Sequence, residues 1–413
     1  MPAGGGAGGG VAQQMAQDTY FRKGFGLKSE ISGALTDDYH SQLVDSIHSA
    51  GGVLTVGDLT FRLAKEFGFC YGVDRAVEYA YETCKKFPDK KIFLVGEIIH
   101  NPHVNQKLVD MGIEILTPDQ DAKFDFAAIT DQDVVVIPAF GVTVDDFGML
   151  QSIGCVLVDT TCGSVLNVWK RVQQYSRDGY TAVVHGKYRH EETKATASQV
   201  RRYEHGHYLV VRDMEEAETV CQFIESGAGA DALKAEFSKA ASTDFDPERQ
   251  LVRVGIANQT TMLSGESLAI AHRFKVAMER RYGAEALADH FRTFDTICSA
   301  TQERQDAVHE LIEGPVDAMI VIGGYNSSNT NHLAAICAVK TTTYHIRDAA
   351  CIDTDTGAIS HKPVGATEEV TEEKWLSGSV RNIGITAGAS TPNNKIGATV
   401  EKILMMKGLT VPT

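Results

Sequence analysis

Residues 155–186 read CVLVDTTCGSVLNVWKRVQQYSRDGYTAVVHG, and this stretch contains the pattern that decides the fold. It begins and ends with the short apolar runs CVLVD and TAVVHG, which are typical of strands buried on both faces. Between them, SVLNVWKRVQQYSRDG has polar and apolar residues at helical spacing. A strand, a helix and a second strand in this order predict a parallel α/β sheet.

The same alternation continues on both sides of this stretch, from about residue 67 onward. Six further apolar runs predict buried strands: KIFLVGEIIH, DVVVIPAF, HYLVV, LVRVGIAN, DAMIVIGG and RNIGITAG. Helical patterns such as CYGVDRAVEYAYETCKKF and SATQERQDAVHELIEG stand between them, which predicts mainly parallel sheets. In front of this body, residues 20–69 form an N-terminal extension that the pattern predicts to be helical to about residue 58.

One motif recurs along the chain, a cysteine at the start of a helix. DTTC ends at Cys162 after a strand, DTIC ends at Cys298 after the apolar stretch HFRTF, and Cys70 in EFGFCYGVDRAV also precedes a helix. The interval from Cys162 to Cys298 is longer than the interval from Cys70 to Cys162. It contains a polar segment near residues 225–250, which we interpret as an insertion. The repeat predicts three α/β modules. They cover residues 70–161, 162–297 and 298–413, the last with a C-terminal tail.

Three cysteines in this position suggest a metal site. A cysteine at a helix N-terminus has its thiolate stabilised by the helix dipole and by free N–H groups. Three such thiolates that converge at a pseudo-threefold centre suit zinc or an iron–sulfur cluster, and a [4Fe–4S] cluster with three protein ligands keeps one iron open. The alternative is three buried, inert cysteines. The chain has no CxxC pair, which argues against zinc ribbons and ferredoxin-like carriers.

Polar side chains follow several of the predicted strands, where open α/β sheets bind ligands. The turns YNSSNTN (residues 325–331) and TAGASTP (residues 386–392) offer hydroxyl, amide and backbone donors to a phosphate at a helix end. Histidines and a carboxylate in EIIH and RHEET could bind a diphosphate and deliver a proton. Capped turns, structural histidines and a surface carboxylate are the alternative. No Walker lysine is present, and no GxGxxG stands in the strand–turn–helix setting of a Rossmann site, which argues against a nucleoside triphosphate, a nicotinamide or a flavin.

Composition excludes several classes of protein. The net charge of −15 argues against a general nucleic-acid binder but not against a small anionic substrate. No run approaches the roughly 20 apolar residues of a membrane helix. Residues 1–19 are predicted to be a flexible glycine-rich tail, without the features of a secretory signal or a transit peptide. We therefore expect a cytoplasmic location.

Eight motifs together carry a family resemblance. GFCYGVDRAV, EIIHNPHVN, DTTC, HGKYRHEET, NQTTM, TICSATQERQ, NSSNTN and TAGASTP occur in this order over residues 60–405. The chain resembles the 4-hydroxy-3-methylbut-2-enyl diphosphate reductase family, and RKGFG before these motifs resembles its long cyanobacterial and plant-type branch. If the chain is a processed plant-type form, the expected location is the plastid stroma. The resemblance implies a trefoil of three α/β modules around one [4Fe–4S] cluster per chain, with three cysteine ligands and one open iron. The cysteines that match the ligands are Cys70, Cys162 and Cys298.

The resemblance also implies roles for residues around the cluster. The groups that match substrate-binding residues are His100, His190, Ser327, Ser328, Asn329 and Ser390. Glu192 matches the carboxyl that delivers protons, because the family reads His-x-Glu and the neighbouring Glu191 is out of step. Thr260 matches the hydroxyl that orients the substrate and the proton relay. Two departures are Phe140, where many members have histidine, and Gly163, where proline is usual.

The implied activity is the last step of the methylerythritol phosphate route to isoprenoids. (E)-4-Hydroxy-3-methylbut-2-enyl diphosphate takes up two electrons and two protons, loses its hydroxyl as water, and gives isopentenyl and dimethylallyl diphosphate. Ferredoxin or flavodoxin is the expected electron donor, no nucleic acid or membrane is an expected partner, and the expected state is a monomer or homodimer. Two alternatives are a hydro-lyase that uses an open-iron cluster without net electron flow and a non-catalytic iron–sulfur sensor.

Overall fold

The computed structural model describes residues 19–120, 123–376 and 378–411. The predicted tail at residues 1–19 lies outside these residues except for Thr19. In chain order the strands are β1 (Tyr20–Phe21), β2 (Val53–Val56), β3 (Leu59–Leu63), β4 (Ile92–Val95), β5 (Ile113–Leu116), β6 (Val134–Ile137), β7 (Val156–Asp159), β8 (Thr181–His185), β9 (Tyr208–Val211), β10 (Val254–Asn258), β11 (Phe291–Thr293), β12 (Ala318–Ile322), β13 (Thr342–Ile346), β14 (Ile359–His361), β15 (Val370–Glu372) and β16 (Asn382–Ala387).

The helices lie between these strands. They are α1 (Lys28–Tyr39), α2 (Gln42–Ser49), α3 (Tyr71–Lys86), α4 (Pro102–Asp110), α5 (Val144–Ile153), α6 (Gly163–Arg177), α7 (Glu191–Ser198), α8 (Met214–Ser226), α9 (Ala230–Glu236), α10 (Pro247–Gln250), α11 (Ser264–Tyr282), α12 (Leu287–His290), α13 (Ser299–Ile312), α14 (Ser328–Ala338) and α15 (Asn393–Met406), with 3-10 turns at Gln199–Arg202 and Ala349–Cys351. Within the described ranges, no helix is both long and apolar enough to cross a membrane.

Three mainly parallel sheets confirm the predicted α/β class. The first has the order β1-β7-β6-β4-β5, the second β11-β10-β8-β9, and the third β13-β12-β16-β3-β2. In these three sheets only β2 and β3 pair antiparallel, and β14 with β15 forms a separate small ribbon. All eight runs that the sequence analysis predicts to be strands are strands in the structure.

Each sheet is covered by packed side chains on both faces. In the first sheet, Ile92 and Leu94 belong to one apolar core, whereas Phe93 and Val95 belong to another on the opposite face. In the third sheet, the neighbouring residues Ile320 and Val321 likewise belong to two different apolar cores on opposite faces. Successive side chains of a strand point to opposite faces. Burial of both faces therefore explains why these strands read as continuous apolar runs.

The chain passes from one sheet to the next at the three cysteine turns. Cys70 follows β3 of the third sheet, but α3 packs against the first sheet. Cys162 follows β7 of the first sheet, and α6 packs against the second. Cys298 follows β11 of the second sheet, and α13 packs against the third. Because each cysteine stands at such a crossing, all three lie where the sheets meet.

The N-terminal extension differs in part from the prediction. Helices α1 and α2 lie in the segment predicted to be helical, but residues 53–56 form strand β2 and residues 59–63 form strand β3 of the third sheet. The helical prediction is therefore wrong for residues 53–58, and also for residues 20–21, which form strand β1 and pair with β7. Here VLTV has alternating exposure and pairs with β3, so tertiary pairing decides its conformation.

The segment near residues 225–250 has its own packing. It contains α9 and α10, and Leu233, Phe237 and Phe245 are buried in the core of the second sheet. Ala241 also forms an isolated bridge with Leu209 at the end of β9. The segment is polar on average, and its few large apolar residues hold it against the second sheet.

Candidate active site

The three cysteine turns have the same construction in each sheet. Cys70, Cys162 and Cys298 are the N-cap residues of α3, α6 and α13. The backbone N–H of each donates to the carbonyl of a residue that follows the neighbouring strand. These acceptors are Ala389 after β16, Ala139 after β6 and Thr260 after β10. Three helix N-termini therefore point into one centre, which favours negative charge there.

One cavity collects every site residue that the sequence analysis named. Its lining includes Cys70, Cys162, Cys298, His100, His190, Glu192, Thr260, Ser327, Ser328, Asn329 and Ser390. Most of the other polar groups come from the turns that follow β4, β8 and β12. These strands are the sheet neighbours of β6, β10 and β16, so their turns lie beside the cysteine turns. The structure thus brings together residues that are up to 320 positions apart, from 70 to 390.

The sulfur atoms of Cys70 and Cys162 lie close to one another around Gly72. A Cβ atom on Gly72 would be 2.5 Å from Cys162 Sγ and 3.9 Å from Cys70 Sγ, so the two sulfurs are at most 2.5 + 3.9 = 6.4 Å apart. Burial raises the pKa of the Cys70 thiol, and it raises that of Cys298 to about 11. A metal cluster fits this donor set, because cluster iron binds cysteine thiolates and compensates their burial.

The two histidines form a hydrogen-bonded chain that defines where their protons are. The Glu192 N–H donates to His190 Nδ1 at 3.2 Å, so the His190 proton is on Nε2. Burial holds the pKa of His190 well below its usual value. His190 Nε2 then donates to His100 Nε2 at 3.2 Å, which leaves the His100 proton on Nδ1, 2.8 Å from Glu97 Oε2. Asn326 Nδ2 donates to the same carboxylate oxygen at 2.9 Å.

Glu192 is the buried member of the adjacent pair of glutamates. Its side chain is almost without solvent contact and accepts the Thr260 N–H at 2.5 Å. Burial raises the pKa of Glu192 to about 7, although the hydrogen bonds from Thr260 oppose the shift. Glu191, by contrast, is half exposed and lies 3.5 Å from His100 Nε2. Of this pair only Glu192 lines the active-site cavity.

The polar turn after β12 contains donors that have no partner among the described residues. The Ser328 hydroxyl and the Asn329 amide nitrogen are buried without a hydrogen-bond partner in the described structure. Asn329 Oδ1 accepts the Ala389 N–H at 2.9 Å, which fixes the amide so that its NH₂ group is free. Buried donors normally find an acceptor. Ser328 is also the first residue of α14, so this corner suits a multiply charged anion.

Three residues that contact the site histidines or their partners were not assigned a role from the sequence. Phe140, noted there only as a departure, stacks on His100 with ring centres 4.3 Å apart and lies edge-to-face with His190. Its apolar ring lines the cavity in place of a hydrogen-bonding side chain. Glu97 and Asn326 hold His100 from outside the cavity. For Glu97 the available signal was its spacing of three residues before His100 in the turn GEIIH; Asn326 lies in the polar turn YNSSNTN, but nothing local indicates its contact with Glu97.

Relatives with known names are similar to almost the whole chain. The sequence matches the family described as LytB protein over residues 61–404. A protein from Gloeobacter violaceus named 4-hydroxy-3-methylbut-2-enyl diphosphate reductase is 47% identical over 399 residues, which cover 96% of this chain and 94% of the relative. A Synechococcus protein with the same name is 46% identical, and the alignment covers 94% of this chain and 95% of the relative. The first alignment leaves 4% of this chain unmatched, so it includes most of residues 20–60.

Two solved structures are similar in fold. One is described as (E)-4-hydroxy-3-methyl-but-2-enyl diphosphate reductase, the terminal enzyme of the non-mevalonate pathway. It has 27% identity and a TM-score of 0.51, covering 84% of this chain and 99% of that chain. The other is the E-1-hydroxy-2-methyl-but-2-enyl-4-diphosphate reductase from Plasmodium falciparum, with a TM-score of 0.61 over 83% of this chain and 87% of that chain. Its identity is 20%, so this likeness concerns the fold alone.

Proposed function

Because the chain belongs to the LytB protein family, we propose that it reduces (E)-4-hydroxy-3-methylbut-2-enyl diphosphate to isopentenyl and dimethylallyl diphosphate. The observation that carries the proposal is one cavity with three features side by side. These are three thiols at helix N-termini, a corner of unpartnered phosphate donors, and a buried carboxyl whose pKa is near 7. A reductive dehydroxylation of an allylic diphosphate requires all three.

The cofactor in this proposal is a [4Fe–4S] cluster with three protein ligands. Cys70, Cys162 and Cys298 would hold it, and the positive ends of α3, α6 and α13 would compensate its negative charge. When bound, such a cluster supplies one-electron redox chemistry and a Lewis-acidic iron. Three ligands, instead of the four of a closed site, are what a catalytic cluster needs.

The remaining residues would bind and orient the substrate. Ser328 and Asn329 donate to the diphosphate from the start of α14, together with Ser327 and Ser390 on the same cavity wall. His190 Nε2 carries a proton that it donates to His100 in the free protein, and on substrate binding this proton would turn to the diphosphate. The Phe140 ring covers His100 and excludes water beside the reacting carbons. With the diphosphate held in this way, the hydroxyl end of the substrate reaches the cysteine centre.

Glu192 would move the protons. It is protonated for part of the time at neutral pH because burial raises its pKa to about 7. Thr260 donates its N–H to the ionised carboxylate and its carbonyl accepts the Cys298 N–H, so it links the proton donor to a cluster ligand. A proton that leaves with the hydroxyl as water therefore has a donor already in place.

The two alternative functions lack support in the geometry. A hydro-lyase for hydroxy-acids needs cationic groups for carboxylates. However, the cavity has no arginine or lysine among its lining residues in the described part of the chain. A sensor has no use for a buried carboxyl with a pKa near 7 beside unpartnered phosphate donors. Neither alternative accounts for the three features together.

The test is an oxygen-free purification and assay. We expect about four iron and four sulfide per chain and oxidation of reduced methyl viologen that depends on added (E)-4-hydroxy-3-methylbut-2-enyl diphosphate. Isopentenyl and dimethylallyl diphosphate should appear in a total of one for every two electrons consumed. A full cluster without substrate-dependent oxidation would refute the proposed activity, and zinc in place of iron would refute the proposed cofactor.

A further inference from the structure

A second cavity, of about 370 Å³, lies on the other side of the turn that ends in Cys162. We call it the rear cleft. Ile137 and Asp159, the last residues of β6 and β7, form part of it, and α6 closes one side. Its lining includes Thr161, which is bonded directly to Cys162, yet it shares no lining residue with the active-site cavity. The rear cleft is therefore a route to the cysteine centre that bypasses the substrate.

The rear cleft is basic, although the chain has a net charge of −15. Arg22, Lys170 and Arg202 line it, against the single carboxylate of Asp159. Asp159 already accepts the Tyr20 hydroxyl at 2.6 Å, and it lies 3.6 Å from Arg22 Nε. Within the described residues, Lys170 and Arg202 have no carboxylate at salt-bridge distance, and both are exposed. Arg202 Nε donates to the Gln199 amide oxygen at 3.0 Å, but no acidic side chain of the described residues neutralises either cation, so both charges can face an acidic partner.

The walls of the rear cleft connect it physically to the active site. The Trp169 indole donates to Thr196 Oγ1 at 3.2 Å, and its ring packs against the backbone of Gly141. A Cβ on Gly141 would lie 2.4 Å from two ring carbons, so the contact is close. Gly141 follows Phe140, which lines the active-site cavity. An aromatic ring and one peptide unit thus separate the rear cleft from the site.

A third cavity, a groove of about 660 Å³, shares His100 and Phe140 with the active-site cavity. Its three cations are matched by three carboxylates among its lining residues, and Val142 and Thr143 line both the groove and the rear cleft. Because the groove shares lining residues with the active-site cavity and the rear cleft shares none, we assign substrate entry to the groove. The rear cleft then remains for the other reactant that the proposed function requires, a source of electrons.

We propose that the rear cleft is the docking surface for an acidic one-electron carrier protein, held by Arg22, Lys170 and Arg202 and delivering electrons through Thr161 to Cys162. The inference rests on the proposed function. For each substrate reduced, two carrier molecules lose one electron each, two protons are taken up, and the C–O bond breaks with release of water. Charge complementarity commits the surface to an acidic protein.

The test compares two double charge reversals in the full-length, iron-loaded enzyme. Lys170→Glu with Arg202→Glu changes the rear cleft. Lys275→Glu with Arg249→Glu makes the same change of charge at exposed residues of α11 and α10, which belong to the opposite side of the second sheet. With an acidic [2Fe–2S] ferredoxin as donor, the cleft variant should lose at least about tenfold in kcat/KM for the carrier and much of its salt dependence. The control pair should stay within about twofold, and methyl viologen should drive both variants at the wild-type rate.

A binding measurement separates this proposal from the proposed function. Trp169 is one of two tryptophans, and the other, Trp375, is buried in the core of the third sheet. Docked ferredoxin should therefore quench Trp169 emission at low salt, whether or not the enzyme turns over. If the double variant of the rear cleft loses iron, the single variant Lys170→Gln is tested instead, because, among the described residues, the exposed Lys170 side chain makes no ion pair that the substitution could break. Unchanged ferredoxin kinetics in the iron-loaded variant would overturn docking at this surface. A Trp169 response to inorganic triphosphate but not to ferredoxin would overturn it in favour of a small anion.

Discussion

Replacing Gly72 by alanine tests the geometry of the cysteine centre most directly. The new Cβ would lie 2.5 Å from Cys162 Sγ and 3.4 Å from Cys162 Cβ. Ordinary contacts of a Cβ begin near 3.4 Å, so the sulfur and the helix must separate by about 3.4 − 2.5 = 0.9 Å. Metal–ligand distances tolerate only about 0.2 Å. The substitution should therefore displace a cluster ligand by several times what a metal site allows.

The fold itself should survive this change. Gly72 lies in the first turn of α3, where alanine is favoured over glycine by about 0.5–1 kcal/mol. Gly163 provides a matched control, because it occupies the first turn of α6 next to a cysteine ligand and a Cβ there meets no atom within 4 Å. Gly163→Ala should thus keep its iron and gain a little stability.

The assay is iron and sulfide per chain after anaerobic reconstitution, with circular dichroism to verify folding. We expect Gly72→Ala to fold normally and to hold at least about twofold less iron than the wild type. Gly163→Ala should match the wild type in iron content. Full iron content in Gly72→Ala would refute the reasoning, because it would show that the Cys162 sulfur does not occupy the space beside α3.

Four further predictions follow from the site. Glu192→Gln should keep its iron and its substrate binding but lose at least about 100-fold in kcat; near-wild-type turnover would exclude proton delivery by this residue. Because burial raises the pKa of Glu192 to about 7, its acid form declines as pH rises, so kcat should fall above pH 7, and a pH profile that stays flat to pH 9 would contradict this. Cys162→Ser should lower the iron content, and an unchanged iron count would remove Cys162 from the ligand set. Glu97→Ala should raise KM more than it lowers kcat, because His100 loses the acceptor that fixes its proton on Nδ1; isotope-edited NMR of the histidine nitrogens should show the change, and an unaltered tautomer would refute the role.

The local sequence was sufficient for the elements that carry the site. Strands buried on both faces read as continuous apolar runs, so β6, β7 and β12 are visible without any tertiary information. A cysteine before an amphipathic helix is likewise a local pattern, and Cys162 and Cys298 follow from it. By contrast, the prediction of helix for β2 was wrong. This strand pairs with β3, and β3 in turn pairs with β16 near the C-terminus, so the local sequence of β2 does not contain the contacts that make it a strand.

The partners of each functional group depended on the tertiary structure. Glu191 and Glu192 are adjacent in sequence, but helix α7 turns Glu192 into the cavity and leaves Glu191 half exposed. The burial that raises the pKa of Glu192 therefore comes from the tertiary structure. Phe140 against His100, and Asn326 against Glu97, join residues from different strand ends, and no spacing along the chain encodes these contacts.

The sequence by itself determined the α/β class, the three cysteines and the polar turns, because each depends on periodicity or residue type within a short segment. Only the tertiary structure decided that the three sheets exchange their helices at the cysteine turns, so that Cys70, Cys162 and Cys298 face one cavity. It also decided which donors remain unsatisfied there and that a separate basic cleft lies behind Cys162. The physical reason is that burial, pKa and hydrogen-bond satisfaction are properties of neighbours in space, and here those neighbours come from distant parts of the chain.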